Sequence, residues 1–203
     1  MISIITGDIV NSRKLDSTIW IDGLKKILDS KGKNPGGWEI YRGDQFQLEI
    51  KNPEAALLAA LQIKAYLKTL KLDARMSIGF GDKTYTADKI SESNGSAFIH
   101  SGEVFETLKK QKVTLAVNSG NTVFDREMNL MLRLGLTFMD NWLPQSAEFI
   151  LVAIANQSLS QEEIGNRLGI NQAAVSRRQK RARFDLMMEL CGYFTEKIKT
   201  LNA

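Results

Sequence analysis

The chain is poor in sulfur, in imidazole and in chain breakers. Among its 203 residues there are one cysteine, one histidine and three prolines. A lone Cys191 cannot close an internal disulfide, and too few Cys and His are present for a zinc cluster. Cys191 lies in a C-terminal helical pattern, where a buried small hydrophobe is expected. His100 lies among apolar residues with no G-x-S-x-G motif, which excludes a hydrolase triad and points to a structural histidine. No apolar run approaches the roughly 20 residues of a membrane span. The first residues read as a strand and not as a cleavable signal, so the cytoplasm is the expected setting.

What is present is basic charge gathered in one place. Hydrophobic content of 43% and charged content of 25% are ordinary for a globular chain, and the formal net charge is +4. Arg177, Arg178, Lys180, Arg181 and Arg183 all fall within one short stretch. That stretch has the anatomy of a helix-turn-helix. Ser160 and Glu163 form a capping box that should open a helix at Gln161. Ile164 and Leu168 give it an apolar stripe, and Gly165 between them allows another helix to approach closely. Gly169 is a left-handed C-cap with Ile170 as the contact behind it. Asn171 then caps a second helix that begins with the small and polar residues Gln172, Ala173, Ala174 and Ser176.

Small polar residues first and cations after is the order of a recognition helix, whose first turn reaches base edges while its cations meet phosphates. Double-stranded DNA is therefore the expected partner. The expected interface comprises Asn171, Gln172, Ala173, Ser176, Arg177, Arg178, Lys180 and Arg181. The competing reading is a helical hairpin that only packs or dimerises, with a solvated basic face. The stretch resembles region 4 of sigma factors in Glu163-Ile164, Leu168-Gly169, Val175, Arg178 and Arg181-Ala182-Arg183. Gln179 departs from that pattern, which usually has an apolar residue there, so this helix should bury less than usual.

The first part of the chain alternates strand and helix. Strands are expected at Met1–Ile5, Trp38–Tyr41, Phe46–Ile50, Arg75–Phe80 and Val113–Val117. Helices are expected from a Ser17 cap to Asp29, from Pro53 to Leu70, and over a segment from Ala97 to Leu108. Lys31–Gly37, KGKNPGG, is a loop by every local signal. Asn118–Asn121, NSGN, is the clearest boundary, giving an α+β domain at 1–120 and a helical domain at 121–203. In the second domain, Met128–Trp142 is apolar on nearly every face and should be buried. Pro144 separates it from a helix at Ser146–Asn156, and Phe184–Ile198 closes the chain.

Two carboxylates stand out in the first part. Asp8 follows the first strand, and Asp44 lies in a Gly43-Asp44 turn between two strands. Paired carboxylates at adjacent strand ends are how many phosphoryl-transfer sites hold Mg²⁺, but an Asp in such a turn equally serves the turn itself. The pieces Thr6-Gly7-Asp8-Ile9, Tyr41–Phe46 and Arg75–Gly81 resemble class III nucleotidyl cyclases and GGDEF domains. That resemblance implies a ferredoxin-like palm, with Mg²⁺ held by Asp8, Asp44 and the carbonyl of Ile9. It also implies a nucleotide bound at Val10, Asn11, Ser12 and Arg13. The cyclase Asn/Arg pair is missing, since Asn94 is followed four residues later by Phe98, and Arg42 replaces the first Gly of the diguanylate cyclase signature. Nearly the whole chain resembles the SatD-like family of bacterial proteins, including ITGDIVNSRK, WEIYRGDQFQLEI and SESNGSAFIHSGE.

Two functions follow as expectations. One is a homodimeric transcription regulator with a degenerate, nucleotide- and Mg²⁺-sensing cyclase-like domain. The other is a metal-dependent nucleotidyl or phosphoryl transferase with a basic helix-turn-helix tail.

Overall fold

The computed structural model describes residues 1–202. It is a mixed α+β structure with an N-terminal sheet and an all-helical C-terminal region. Nine residues, Ile2–Val10, form β1 at the centre of a five-stranded sheet. The others are β2 (Trp38–Tyr41), β3 (Gln45–Ile50), β4 (Asp73–Gly81) and β5 (Leu115–Asn118), in the order β2-β3-β1-β4-β5. β1 runs antiparallel to both β3 and β4, while β5 lies parallel to β4.

Helices cover both faces of the sheet, as a nearly continuous apolar first strand requires. On one face, Ile5, Ile9, Met76, Ile78 and Phe80 share a core with α1 (Ser17–Asp29) and α2 (Ala56–Thr69). Asp16, one residue before the expected Ser17, is the N-cap of α1, its carboxylate accepting from Thr18 N. On the other face α3 (Ser96–Gln111) packs against Gly79, where any side chain would run into the backbone at Ala97 and Ser101. Ser101 Oγ donates to Thr6 Oγ1 at 2.6 Å and Ser77 Oγ donates to Ser101 O at 2.7 Å, satisfying the buried hydroxyls there. His100 Nδ1–H donates to Phe80 O at 2.6 Å, the structural role expected of it.

The NSGN segment caps the next helix. Asn121 Oδ1 accepts from the amides of Val123 and Phe124, opening α4 (Thr122–Met139). Asn129 clamps Val117 through both its carbonyl and its amide, each at 2.8 Å, so α4 is tied to β5. The expectation that this helix is buried all round is corrected. Phe124, Met128, Leu132, Leu136 and Met139 are buried, but Leu130 and Leu134 are 52% and 63% exposed. Spacings of four and three residues sort the apolar residues onto an inward stripe and leave the remainder outside.

After α4 come α5 (Pro144–Ala155), α6 (Gln161–Leu168), α7 (Gln172–Ala182) and α8 (Phe184–Asn202). One apolar core extends without a break from Ile5 in β1 to Val175 in α7 and Ile198 in α8. A buried charge network reinforces the junction. Lys64 Nζ of α2 is wholly buried and lies 2.7 Å from Asp73 Oδ1 and 2.6 Å from Asp140 Oδ1. Thr114 Oγ1 donates to the same Asp140 oxygen at 2.7 Å, and Lys68 donates to the Asp140 carbonyl. Burial leaves the Cys191 thiol inert, its pKa pushed up to about 12. Among the described residues, no helix is long and apolar enough to cross a membrane.

Candidate nucleic-acid interface

The helix-turn-helix is built as its sequence dictates. Ser160 Oγ accepts from Glu163 N at 3.2 Å, and the Glu163 carboxylate accepts from Ser160 N at 2.8 Å, completing the capping box. These hydrogen bonds hold the Glu163 carboxyl below its usual range. Gly169 closes α6 in the left-handed region at φ 65, and Ile170 N donates back to Gly165 O at 3.0 Å. Gly165 has no room for a side chain, since a Cβ there would sit 2.6 Å from the Ile170 carbonyl oxygen. Asn171 Oδ1 accepts from Ala174 N at 2.9 Å and starts α7.

Positions three and four apart divide α7 into two faces. Val175 and Ala182 are buried inward. The Ala182 carbonyl accepts from Trp142 Nε1 at 3.0 Å, and Phe149 meets Phe184 edge-on at 5.2 Å, fixing α7 against its neighbours. On the outward side Gln172, Ala173, Arg177, Lys180 and Arg181 are exposed, with Ser176 half-buried among them. Arg177, Lys180 and Arg181 form no salt bridge among the described residues.

Arg178 corrects the expected interface. It points the other way, its Nη1 donating to Glu148 Oε2 at 3.0 Å and to the Gln145 carbonyl at 3.2 Å. It fastens α7 to α5 by an ion pair with which a phosphate would have to compete. Gln179, the departure from the sigma pattern, also has a structural task. Its carbonyl accepts from Gln161 Nε2 at 2.8 Å and its amide donates to Asp185 Oδ1 at 2.7 Å, bridging α6 to α8 by polar contacts. Neither role is visible in spacing alone, because both depend on which neighbouring helix each face meets.

The second candidate site lies at one end of the sheet. The chain turns from β2 to β3 through Arg42 (φ 52), Gly43 (φ 89) and Asp44. This places Asp44 at the end of the connection, where its carbonyl accepts from Ile9 N at 3.0 Å. Asp8 lies beside it, in register with Gln45 on β3 and with Arg75 on β4. The two carboxylates thus reach the same corner, but a cation is already there. Arg75 Nε donates to Asp8 Oδ1 at 3.0 Å and Arg75 Nη2 to Asp8 Oδ2 at 2.5 Å, a bidentate pair. The hydrogen bonds from Arg75 to Asp8, with the charges of Asp8 and Asp44, push the guanidinium pKa up.

Asp44 Oδ2 in turn accepts from Ser12 Oγ at 2.7 Å. With each Asp8 oxygen accepting from Arg75, a Mg²⁺ held by Asp8, Asp44 and the Ile9 carbonyl would have to share Asp8 with that guanidinium. No group of three or more His, Cys, Asp or Glu among the described residues could hold a metal ion. Of the residues expected to contact a nucleotide, Val10 ends β1 opposite Asp73 and Asn11 is left-handed at φ 65. Ser12 and Arg13 lie in the following 3-10 turn, Ser12–Lys14.

Comparison with known proteins separates the two ends of the chain. No curated protein and no solved structure matches it. Residues 143–186 match the family model for Sigma-70, region 4. That segment runs from the start of α5 to the first turn of α8 and contains the whole of α6 and α7, so the C-terminal part holds a helix-turn-helix similar to region 4 of Sigma-70.

Proposed function

We propose that this chain is a transcription regulator that binds duplex DNA through α7. The observation that carries the reading is the outward face of α7, where Arg177, Lys180 and Arg181 have no carboxylate partner among the described residues and Gln172 and Ala173 are exposed ahead of them. Unpaired cations at the end of a recognition helix supply phosphate contacts, and the exposed first turn supplies contacts to bases. The Sigma-70 region 4 match supports the same assignment. Fluorescence anisotropy with a labelled duplex at rising salt tests it. A protein that fails to bind duplex at low salt is not a DNA-reading regulator.

The β1-α1-β2-β3-α2-β4 order, with antiparallel β2-β3-β1-β4, supports a ferredoxin-like palm for the N-terminal part. The Asp8–Arg75 pair favours a palm without metal-dependent turnover, because a metal at Asp8 would have to compete with the guanidinium already paired there. A homodimer completes the proposal. Leu134 and Leu186 are exposed beside a groove of about 800 Å³ between α4 and α8, lined also by Met131, Phe138, Leu190 and Tyr193. Helix-turn-helix proteins commonly read paired half-sites as dimers. Light scattering should give twice the 22.7 kDa chain mass.

A further inference from the structure

At the opposite end of the sheet from Asp8 and Asp44 lies a cavity of about 620 Å³ that the DNA-binding reading does not use. It is formed by the KGKNPGG loop after α1, the end of β3 and the segment after β4. Lys31, Lys33, Lys51 and Lys83 line it, with Glu49 as the one carboxylate. Lys83 Nζ lies 2.7 Å from Glu49 Oε2, and both side chains are largely buried, so this pair neutralises itself inside the wall. Lys31, Lys33 and Lys51 are exposed and form no salt bridge among the described residues. Three positive charges therefore face one concave space in a chain whose formal net charge is only +4.

The loop that carries two of these lysines is held in shape from several sides. Gly37 N donates to Lys33 O at 2.6 Å and Glu49 N donates to Gly37 O at 2.8 Å. Ile90 N donates to Pro35 O at 2.9 Å, and Asn34 Nδ2 donates to Trp38 O at 3.0 Å. Gly37 has no space for a side chain, since a Cβ would meet Lys33 N at 2.9 Å. Small residues at Gly32, Gly36 and Gly37 bring backbone to the cavity wall, as sites that receive anions do.

We propose that this cavity binds a small molecule carrying two or more phosphate groups. The volume lies in the range of small-ligand sites, and a concave space this size suits a metabolite better than a duplex. Lysines recognise phosphate as point charges, without the planar fork of arginine, so a run of phosphates is favoured over a single carboxylate. No aromatic side chain lines the cavity, which places recognition on the phosphates and not on a stacked base. The proposal does not rest on the DNA-binding reading.

The probe is inorganic pyrophosphate, titrated calorimetrically into the full chain without divalent cations and against sulfate at matched ionic strength. Saturable one-to-one binding is expected, with sulfate binding more weakly. The K31Q/K33Q/K51Q variant, which keeps the Lys83–Glu49 pair, should bind at least tenfold more weakly while its circular dichroism and melting temperature stay unchanged. The R177Q/K180Q/R181Q variant should bind pyrophosphate as the parent does, which separates this site from the α7 surface. No binding by the parent up to about 10 mM overturns the proposal. So does equal binding by the loop variant, or loss of binding in the α7 variant. Displacement of pyrophosphate from the α7 variant by duplex DNA would also overturn it, making the cavity a second nucleic-acid contact.

Discussion

Two clusters of charge, one at the β1–β3 corner and one on α7, differ in where their charges are spent. At the corner, Asp8 is held bidentately by Arg75, and Asp44 accepts from Ser12. On α7, Arg177, Lys180 and Arg181 extend from the outward face with no carboxylate partner among the described residues, while Arg178 turns back to Glu148. A charge whose partner is already supplied by the fold contributes to shape and has little left for a ligand. A charge held on a rigid helix without a partner is stabilised only by water and counterions, and a polyanion can displace those counterions with a gain in free energy. The same residue type therefore means different things at Arg75, Arg178 and Arg177.

The largest effect expected from breaking this contrast is on DNA affinity. Removing three phosphate contacts with R177Q/K180Q/R181Q should lower affinity about a hundredfold or more at low salt and flatten the log–log salt slope by about 2.7. R178Q should leave that slope nearly unchanged and instead lower stability by at most about 1 kcal/mol, as exposed pairs do. Anisotropy at several salt concentrations, with urea unfolding beside it, reads both quantities. If R178Q flattens the slope as much as one of the outward cations, the division of α7 into two faces is wrong.

The next effect is on stability, at the buried counterpart of these surface charges. Lys64 has Asp73 and Asp140 within 2.7 Å and no exposure. Lys64→Ala should destabilise the chain by about 3–5 kcal/mol, because it leaves the Asp140 carboxylate without its cation beside Asp73, which keeps only Lys68. Asp140→Asn, which removes one charge and keeps a hydrogen-bonding side chain, should destabilise it less. Chemical denaturation of both variants checks the order. A reversed order would mean that Asp140, and not Lys64, anchors the end of α4 to the sheet.

These two cases show which parts of the molecule were legible in the sequence. Five strands and the helices followed from apolar periodicity, except that β1 runs on through Thr6–Val10, so that Asp8 lies within it and not after it. The capping box, Gly169 and Asn171 fixed the helix-turn-helix nearly to the residue. Those signals are local, carried by residues a turn apart. Asp8 pairs in register with Gln45, the residue after Asp44, because a strand and a neighbouring hairpin have few ways to pair. Arg75 belongs to the cyclase-like motif, yet its pairing with Asp8 leaves no trace in local spacing, since it depends on β4 lying on the far side of β1. Lys64 offered a signal that could have been read. It sits in α2 with Leu61, Ile63, Ala65 and Leu67 around it, a lysine on an otherwise apolar helix, and such a residue is buried only if it is paired. The exposure of Leu130 and Leu134 is not legible in composition, because apolar residues occur on every face of α4 and only tertiary packing decides which face is covered.

A smaller effect tests whether the corner could become a ligand site once its own cation is removed. Arg75→Gln frees both Asp8 oxygens and leaves two carboxylates at one corner, where a divalent cation relieves their repulsion. Parent protein should show no Mg²⁺-dependent rise in melting temperature, whereas the variant should be less stable without Mg²⁺ and regain part of the loss when it is added. Stabilisation of the parent by Mg²⁺ to the same degree would show that Arg75 yields readily, and the contrast between corner and α7 would then be one of degree.

The smallest effect concerns the electrostatic hinge between α6 and the loop before it. Glu163 is hydrogen bonded to the amide and hydroxyl of Ser160, and those bonds lower its pKa in the folded chain. A carboxylate whose folded pKa is depressed contributes its stability above the unfolded pKa and loses it as pH falls through the folded value. Between neutral pH and the ordinary glutamate range the cap should therefore remain intact, and below that range it should open as Glu163 takes up a proton. Because the group is fully exposed, the effect on global unfolding should be slight, and it is best read locally. An NMR titration should show the Glu163 carboxyl carbon shifting at a pH below the ordinary glutamate range, in step with the Ser160 amide. Glu163→Gln keeps hydrogen bonding without the charge, so it should remove the pH dependence of the Ser160 amide while leaving α6 folded. If Glu163 titrates within the ordinary glutamate range, the reciprocal cap is not formed in solution, and the start of the helix-turn-helix is held by the Ile164 and Val175 packing alone.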